Sequence, residues 1–153
     1  MAEIILGLMG GLGLFLYGMR LMSDSLEQAA GARMRAILEF FTKTPLRGIL
    51  VGTLFTAVIQ SSSACTVMVV SFVNSGLMDL YQAAGVIMGA NIGTTVTSQL
   101  ISFNLSALAP AIVMAGIILV MISKKVKVQR VGEVLLGFGI LFMGLNTMSS
   151  SMA

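Results

Sequence analysis

Residues 48–76 read GILVGTLFTAVIQSSSACTVMVVSFVNSG, two apolar arms on either side of the polar run Gln60-Ser61-Ser62-Ser63. As one straight helix the stretch would measure about 43 Å, well beyond a hydrocarbon core of about 30 Å, with its polar cluster at the midpoint. A re-entrant helical hairpin fits better. Its arms, Gly48 to Ile59 and Ala64 to Gly76, are each about 18 to 20 Å long, so each descends part-way and the serines form the tip. Irregular backbone at that depth must be covered by protein or water, because unsatisfied polar groups in lipid cost several kcal/mol each.

The composition agrees with a lipid solvent. Of 153 residues, 57% are apolar and 10% charged, with a mean hydropathy of +1.00. Nine Lys/Arg and six Asp/Glu are too few to clothe a soluble surface. The absence of histidine and the single cysteine exclude Ser-His-Asp hydrolases, most zinc sites and a disulfide framework. Three serines without a histidine or lysine base offer no activated nucleophile, so no enzyme and no organic cofactor are expected.

The remaining spans read outward from the hairpin. Ile4 to Met22 is apolar except for Arg20 and is long enough to cross a bilayer. Ser23 to Phe41 places Leu26, Ala30, Met34, Ile37, Leu38 and Phe41 at helical spacing, with Ser23 as its cap, which predicts a separate amphipathic helix over 23–41. Ala83 to Ile101 is a span interrupted by Gly89-Ala90-Asn91-Ile92-Gly93-Thr94-Thr95, read as a break in a transmembrane helix. Leu105 to Ile122, with Asn104 and Pro110 near its start, and Val131 to Met148 are two further spans around the basic loop 123–130. The fold class is therefore an all-α integral membrane protein, built as a transporter repeat with a re-entrant helical hairpin and a broken transmembrane helix.

Charge placement supports the hairpin. With no crossing at 48–76, Arg20, Arg33, Arg35, Lys43, Arg47, Lys124, Lys125, Lys127 and Arg130 all fall on one side; a full crossing would split them five against four. The positive-inside rule then puts both basic loops in the cytoplasm of a multi-pass plasma-membrane protein.

A shift of 126 residues makes Gly11, Gly13, Gly18, Met22, Ser23 and Ser25 recur as Gly137, Gly139, Gly144, Met148, Ser149 and Ser151. Gly-rich membrane helices resemble one another by composition, but here the polar exit recurs too. Residues 1–130 read as one repeat with three crossings, and 131–153 as the first helix of an incomplete second copy, which an odd number of crossings inverts.

The chemistry lies at the two interruptions. A helix broken at mid-depth presents N–H groups to anions at the start of its second half and carbonyls to cations at the end of its first. Ser61, Ser62 and Ser63 stand ahead of the second arm, where their hydroxyls and backbone N–H groups can hold an oxyanion; Thr66 follows one turn later. Gln60, Asn91, Thr94 and Thr95 add neutral amide and hydroxyl groups, and Gly93, like Gly89, permits unusual dihedrals or close backbone approach. Sodium needs only such oxygens, so Gln60, Ser62, Asn91 and Thr94 are candidate sodium ligands. Taken singly, a serine triplet is helix–helix glue and Gly-Ala-Asn-Ile-Gly a packing notch; together in one repeat they read as a site.

Gln60-Ser61-Ser62-Ser63-Ala64 and Gly89-Ala90-Asn91-Ile92-Gly93-Thr94-Thr95 resemble the paired signatures of the type II sodium/phosphate cotransporters, a similarity running from about Leu6 to Thr147. The resemblance implies sodium-driven uptake of inorganic phosphate, with the Gln-Ser-Ser-Ser hairpin contributing to the substrate and sodium sites. The family carries two such repeats, each with its own Gln-Ser-Ser motif, facing each other across the membrane. Only Gln60 to Ser63 is present here, so the expected partners are phosphate, sodium, the lipid bilayer and a second repeat from a continuation or another chain. Ala64-Cys65-Thr66 also departs mildly from the Ala-Thr-Thr common in bacterial members. The competing reading is a non-transporting membrane assembly component or an inactive truncated fragment.

Overall fold

The structure, a computed structural model, describes residues 1–103 and 105–152, apart from the side chains of Phe41, Thr97 and Leu100. Asn104 and Ala153 lie outside the described residues. Six helices follow in order: α1 (Ala2–Phe41), α2 (Pro45–Ile59), α3 (Ser62–Asn74), α4 (Leu80–Ser102), α5 (Ala109–Ile122) and α6 (Val126–Met152). No strand occurs among the described residues. By length and apolar composition α1 and α6 can each cross a membrane. The chain divides into two compact units, Met1–Ala29 with Phe103–Ala153, and Ala30–Ser102.

In the first unit α1 and α6 run antiparallel on paired glycines. A Cβ added at Gly11 would lie 2.8 Å from the Gly144 carbonyl oxygen, and one at Gly144 2.6 Å from that of Gly11. Gly18 and Gly137 repeat the arrangement at 2.6 and 2.7 Å. Backbones this close gain dispersion and leave no room for a side chain. Further along, buried Ser25 donates to Glu133 Oε2 at 3.0 Å, which also accepts from Arg130 at 2.7 Å. α5 packs antiparallel on α6 in the same way, Gly116 against Gly132 and Ala109 against Gly139. Pro110 sits in the first turn of α5, where its missing N–H costs nothing.

The helix expected over 23–41 is not separate, and Ser23 caps nothing: α1 runs unbroken through Ser23, Asp24 and Ser25. No proline or glycine interrupts residues 19–30, and Ser25 spends its hydroxyl on α6 rather than on its own backbone. The amphipathic face remains: Met34 and Leu38 pack into the core of the second unit with Phe55, Ile59, Cys65, Val69, Val86 and Ala90. Thr42, bonded to the Leu38 carbonyl at 2.7 Å, follows the last residue of α1.

In that second unit, α2 starts at Pro45 behind the Thr44 cap. It lies parallel to α4 with a constant register: Gly85 meets Pro45, Gly89 meets Ile49, Gly93 meets Thr53, and reciprocally Gly48 and Gly52 meet Gln82 and Val86. The Thr53 hydroxyl lies 2.8 Å from the Ile49 carbonyl and 3.1 Å from that of Gly89, tying the two backbones together. α3 returns antiparallel to α4 through a turn at residues 75–79. There Gly76 adopts φ 74°, while Asp79 and Gln82 exchange backbone bonds of 2.8 and 2.9 Å as a capping box for α4.

The expected break at Gly89–Thr95 is absent, because α4 is one helix from Leu80 to Ser102. The glycines serve close packing: a Cβ at Gly89 would lie 2.8 Å from the carbonyl carbon of Ile49, and one at Gly93 2.5 Å from the Thr53 oxygen. The following threonines return their hydroxyls to their own helix, Thr94 to Ala90 at 3.1 Å and Thr95 to Ile92 at 2.7 Å, which leaves the ladder intact. The interruption at Gln60–Ser61 is present.

Candidate ion site at the helix break

α2 stops because Gln60 takes the left-handed conformation, φ 60° and ψ 23°. Gln60 N–H donates to the Thr56 carbonyl at 2.8 Å and its side-chain amide to that of Ala57. Ser61, extended at φ −140°, then caps α3: its Oγ accepts from Ala64 N–H at 3.2 Å and its carbonyl from Cys65 N–H at 3.2 Å. Two short helices of about 23 and 20 Å thus meet at a two-residue joint, each too short for a bilayer of about 30 Å. The negative end of the α2 dipole and the positive end of the α3 dipole face the same joint.

The seam between α3 and α4 changes character toward that joint. On α3, Val73, Val69, Thr66 and Ser62 recur at steps of three and four and share one face; on α4, Leu80, Ala83, Ile87, Asn91 and Thr94 do the same. The end next to the 75–79 turn holds a half-open, mainly apolar cleft of about 220 Å³ lined by Val69, Val70, Val73, Asn74, Leu80, Ala83 and Ile87. Continued away from the turn, both stripes become polar. Ser62 and Thr66 are half-buried and Thr66 donates to the Ser62 carbonyl at 2.9 Å, while Asn91 and Thr94 are exposed.

The sequence-predicted residues therefore separate. Gln60 and Ser61 form the joint; Ser62 and Thr66 lie further along the α3 stripe, and Asn91 and Thr94 further along the α4 stripe. Ser63 and Thr95 are exposed and off these stripes, and Gly93 is buried against α2. Asp79 is a helix cap. No group of three or more His, Cys, Asp or Glu gathers among the described residues. Neutral oxygens suit a hard monovalent cation, and N–H groups with hydroxyls suit an oxyanion.

One residue escaped the sequence reading. Thr56, 1% exposed, packs on Gly93 with its Cβ 2.8 Å from where a side chain there would begin. It also lies next to the buried Cys65 of α3. The signal was available, since Gly48, Gly52 and Thr56 follow one another at helical spacing and end the small-residue stripe in a hydroxyl.

Two helices long and apolar enough to span a bilayer, with a capped joint between two shorter ones, mark the chain as an α-helical membrane protein. The Na+/Pi-cotransporter family profile matches residues 14–150, and the chain belongs to that family. It is 29% identical over 141 residues to "Putative inorganic phosphate export protein YjbB" of Escherichia coli O157:H7, covering 92% of this chain and 26% of that protein. To "Uncharacterized protein YqeW" of Bacillus subtilis (strain 168) it is 30% identical over 128 residues, 84% of this chain and 41% of YqeW. To sodium-dependent phosphate transport protein 2A of Rattus norvegicus it is 36% identical over 97 residues, 62% of this chain and 15% of the transporter. The chain thus spans less than half the length of each of these relatives. No solved structure matches.

Proposed function

We propose that this chain forms one half of a sodium-coupled inorganic phosphate symporter. The observation that carries the reading is the joint itself, where the carbonyl end of α2 meets the Ser61-capped start of α3 and the half-buried Ser62 and Thr66 follow. Phosphate binds at that start, drawing on the positive helix end, its first-turn N–H groups and the hydroxyls of Ser61, Ser62 and Ser63. Sodium takes the neutral oxygens of Gln60, Ser62, Asn91 and Thr94, next to the negative end of α2. With both ions in one cleft, each lowers the electrostatic cost of binding the other, which is the basis of coupling.

α2 and α3 act as a re-entrant hairpin, and the basic loops face the cytoplasm. A second, inverted repeat completes the transporter. The antiparallel α1–α6 pair supports this: under the 126-residue shift the Gly11–Gly144 contact becomes Gly137–Gly18, the other contact observed. Two helices related by such a pseudo-two-fold axis are what inverted copies produce. Net flux follows the combined gradients, so uptake and export are the same reaction run in opposite directions.

The test is radiolabelled phosphate flux in vesicles, in both directions, with sodium or choline, with and without a co-expressed second repeat. Sodium-dependent flux that falls at least tenfold in Ser62→Ala and Asn91→Ala variants that still insert is the expected result. Flux indifferent to sodium, or unchanged in both variants, overturns the proposal.

A further inference from the structure

The threonines around the joint behave alike with one exception. Thr53, Thr66, Thr94 and Thr95 each donate to a carbonyl three or four residues back in their own helix. Thr56 does not. Its Oγ1 is fully buried and has no hydrogen-bond partner among the described residues. The neighbouring Cys65 thiol is its one hydrogen-bonding contact among them, a weak sulfur partner that falls short of ordinary hydrogen-bond geometry. A buried hydroxyl left this way costs stability that an isosteric valine would not.

Its position gives the cost a purpose. Thr56 lies in the last turn of α2, with its carbonyl holding Gln60 N–H, and so stands one turn below the left-handed joint. Its side chain meets Gly93 of the second motif and Cys65 in the first turn of α3, one residue past the first motif. Gly93 must lack a side chain for that contact to form. The last turn of a helix carries partial negative charge, so a lone-pair donor there is suited to a cation rather than an anion.

We propose that Thr56 Oγ1 is a sodium ligand, unpaired in the ion-free protein and satisfied when the cation enters beneath the joint. The assignment rests on the sodium-coupled reading of the site. The purified full chain is unfolded thermally in detergent across sodium concentrations, with choline chloride holding ionic strength constant. Wild type is stabilised by sodium. Thr56→Val melts higher than wild type in choline, because the unpaired hydroxyl is gone, yet needs at least tenfold more sodium for half-maximal stabilisation. Thr56→Ser stays within twofold of wild type.

If valine is not accommodated, Thr56→Ala removes the same oxygen with less volume and gives the same reading of sodium dependence. A wild type with no sodium-specific stabilisation overturns the assignment, as does a Thr56→Val or Thr56→Ala midpoint within twofold of wild type. The two proposals fail separately: phosphate flux without a sodium requirement removes the coupling, whereas sodium-coupled flux with unchanged sodium dependence in Thr56→Val removes only this ligand.

Discussion

The α1–α6 and α2–α4 pairs are both built on glycine against backbone, but in opposite senses. α1 and α6 are antiparallel and symmetric, so each contact appears twice and the helix dipoles attract. α2 and α4 are parallel and asymmetric: Gly85, Gly89 and Gly93 of α4 meet Pro45, Ile49 and Thr53 of α2, while Gly48 and Gly52 of α2 meet Gln82 and Val86 of α4. Parallel dipoles repel, so this pair depends on the closeness of approach, on the Thr53 bridge and on the antiparallel α3 beside α4. One pair joins two helices whose glycine contacts interchange under a shift of 126 residues. The other holds the two signature motifs in register and carries a buried hydroxyl at its end.

The symmetric pair is imperfect in one informative place. Ser25 bonds Glu133, and the shift by 126 turns these into Ser151 and Gly7, which are also neighbours but without a carboxylate. The Ser25–Glu133–Arg130 group therefore belongs to one end only, where it adds charge-assisted bonds to an otherwise repeated contact.

The comparison can be broken hardest at Gly89. Gly89→Leu puts a branched side chain into the Ile49 backbone, which cannot give way, and is expected to cost at least about 3 kcal/mol and to abolish phosphate flux; normal folding and flux would show that α2 and α4 are not in close contact. A smaller effect sharpens the symmetry. Gly11→Ala and Gly137→Ala, equivalent under the repeat, should each cost about 1–3 kcal/mol and agree to about 0.5 kcal/mol in denaturant melts. A gap of several-fold between them would mean that the pseudo-two-fold is geometric only. Smallest is the control: Gly13 has open space around its missing side chain, so Gly13→Ala should be neutral or stabilising by up to about 1 kcal/mol.

Much was legible before folding because it is local chemistry. Hydropathy and its period revealed α1 and α6, the two helices long and apolar enough to span, and a polar run flanked by apolar arms revealed the joint at Gln60–Ser61. The six-residue match at a shift of 126 related α1 to α6, and their antiparallel packing came from the structure. Motif residues Ser62, Thr66, Asn91 and Thr94 were nameable from residue type and spacing alone.

What lay opposite those residues was not. Gly89 and Gly93 read equally well as a break or as a packing surface, and the choice depends on whether a backbone stands within about 3 Å, a fact contributed by residues some 40 positions earlier in the chain. Ser23 resembled a cap until α1 proved continuous, and Asp79 gained its role from Gln82. Thr56 is an ordinary small helical residue until Gly93 and Cys65 close around it. Conformational preference belongs to a segment and can be read there; the absence of a partner belongs to a packed environment, and only tertiary contacts create it.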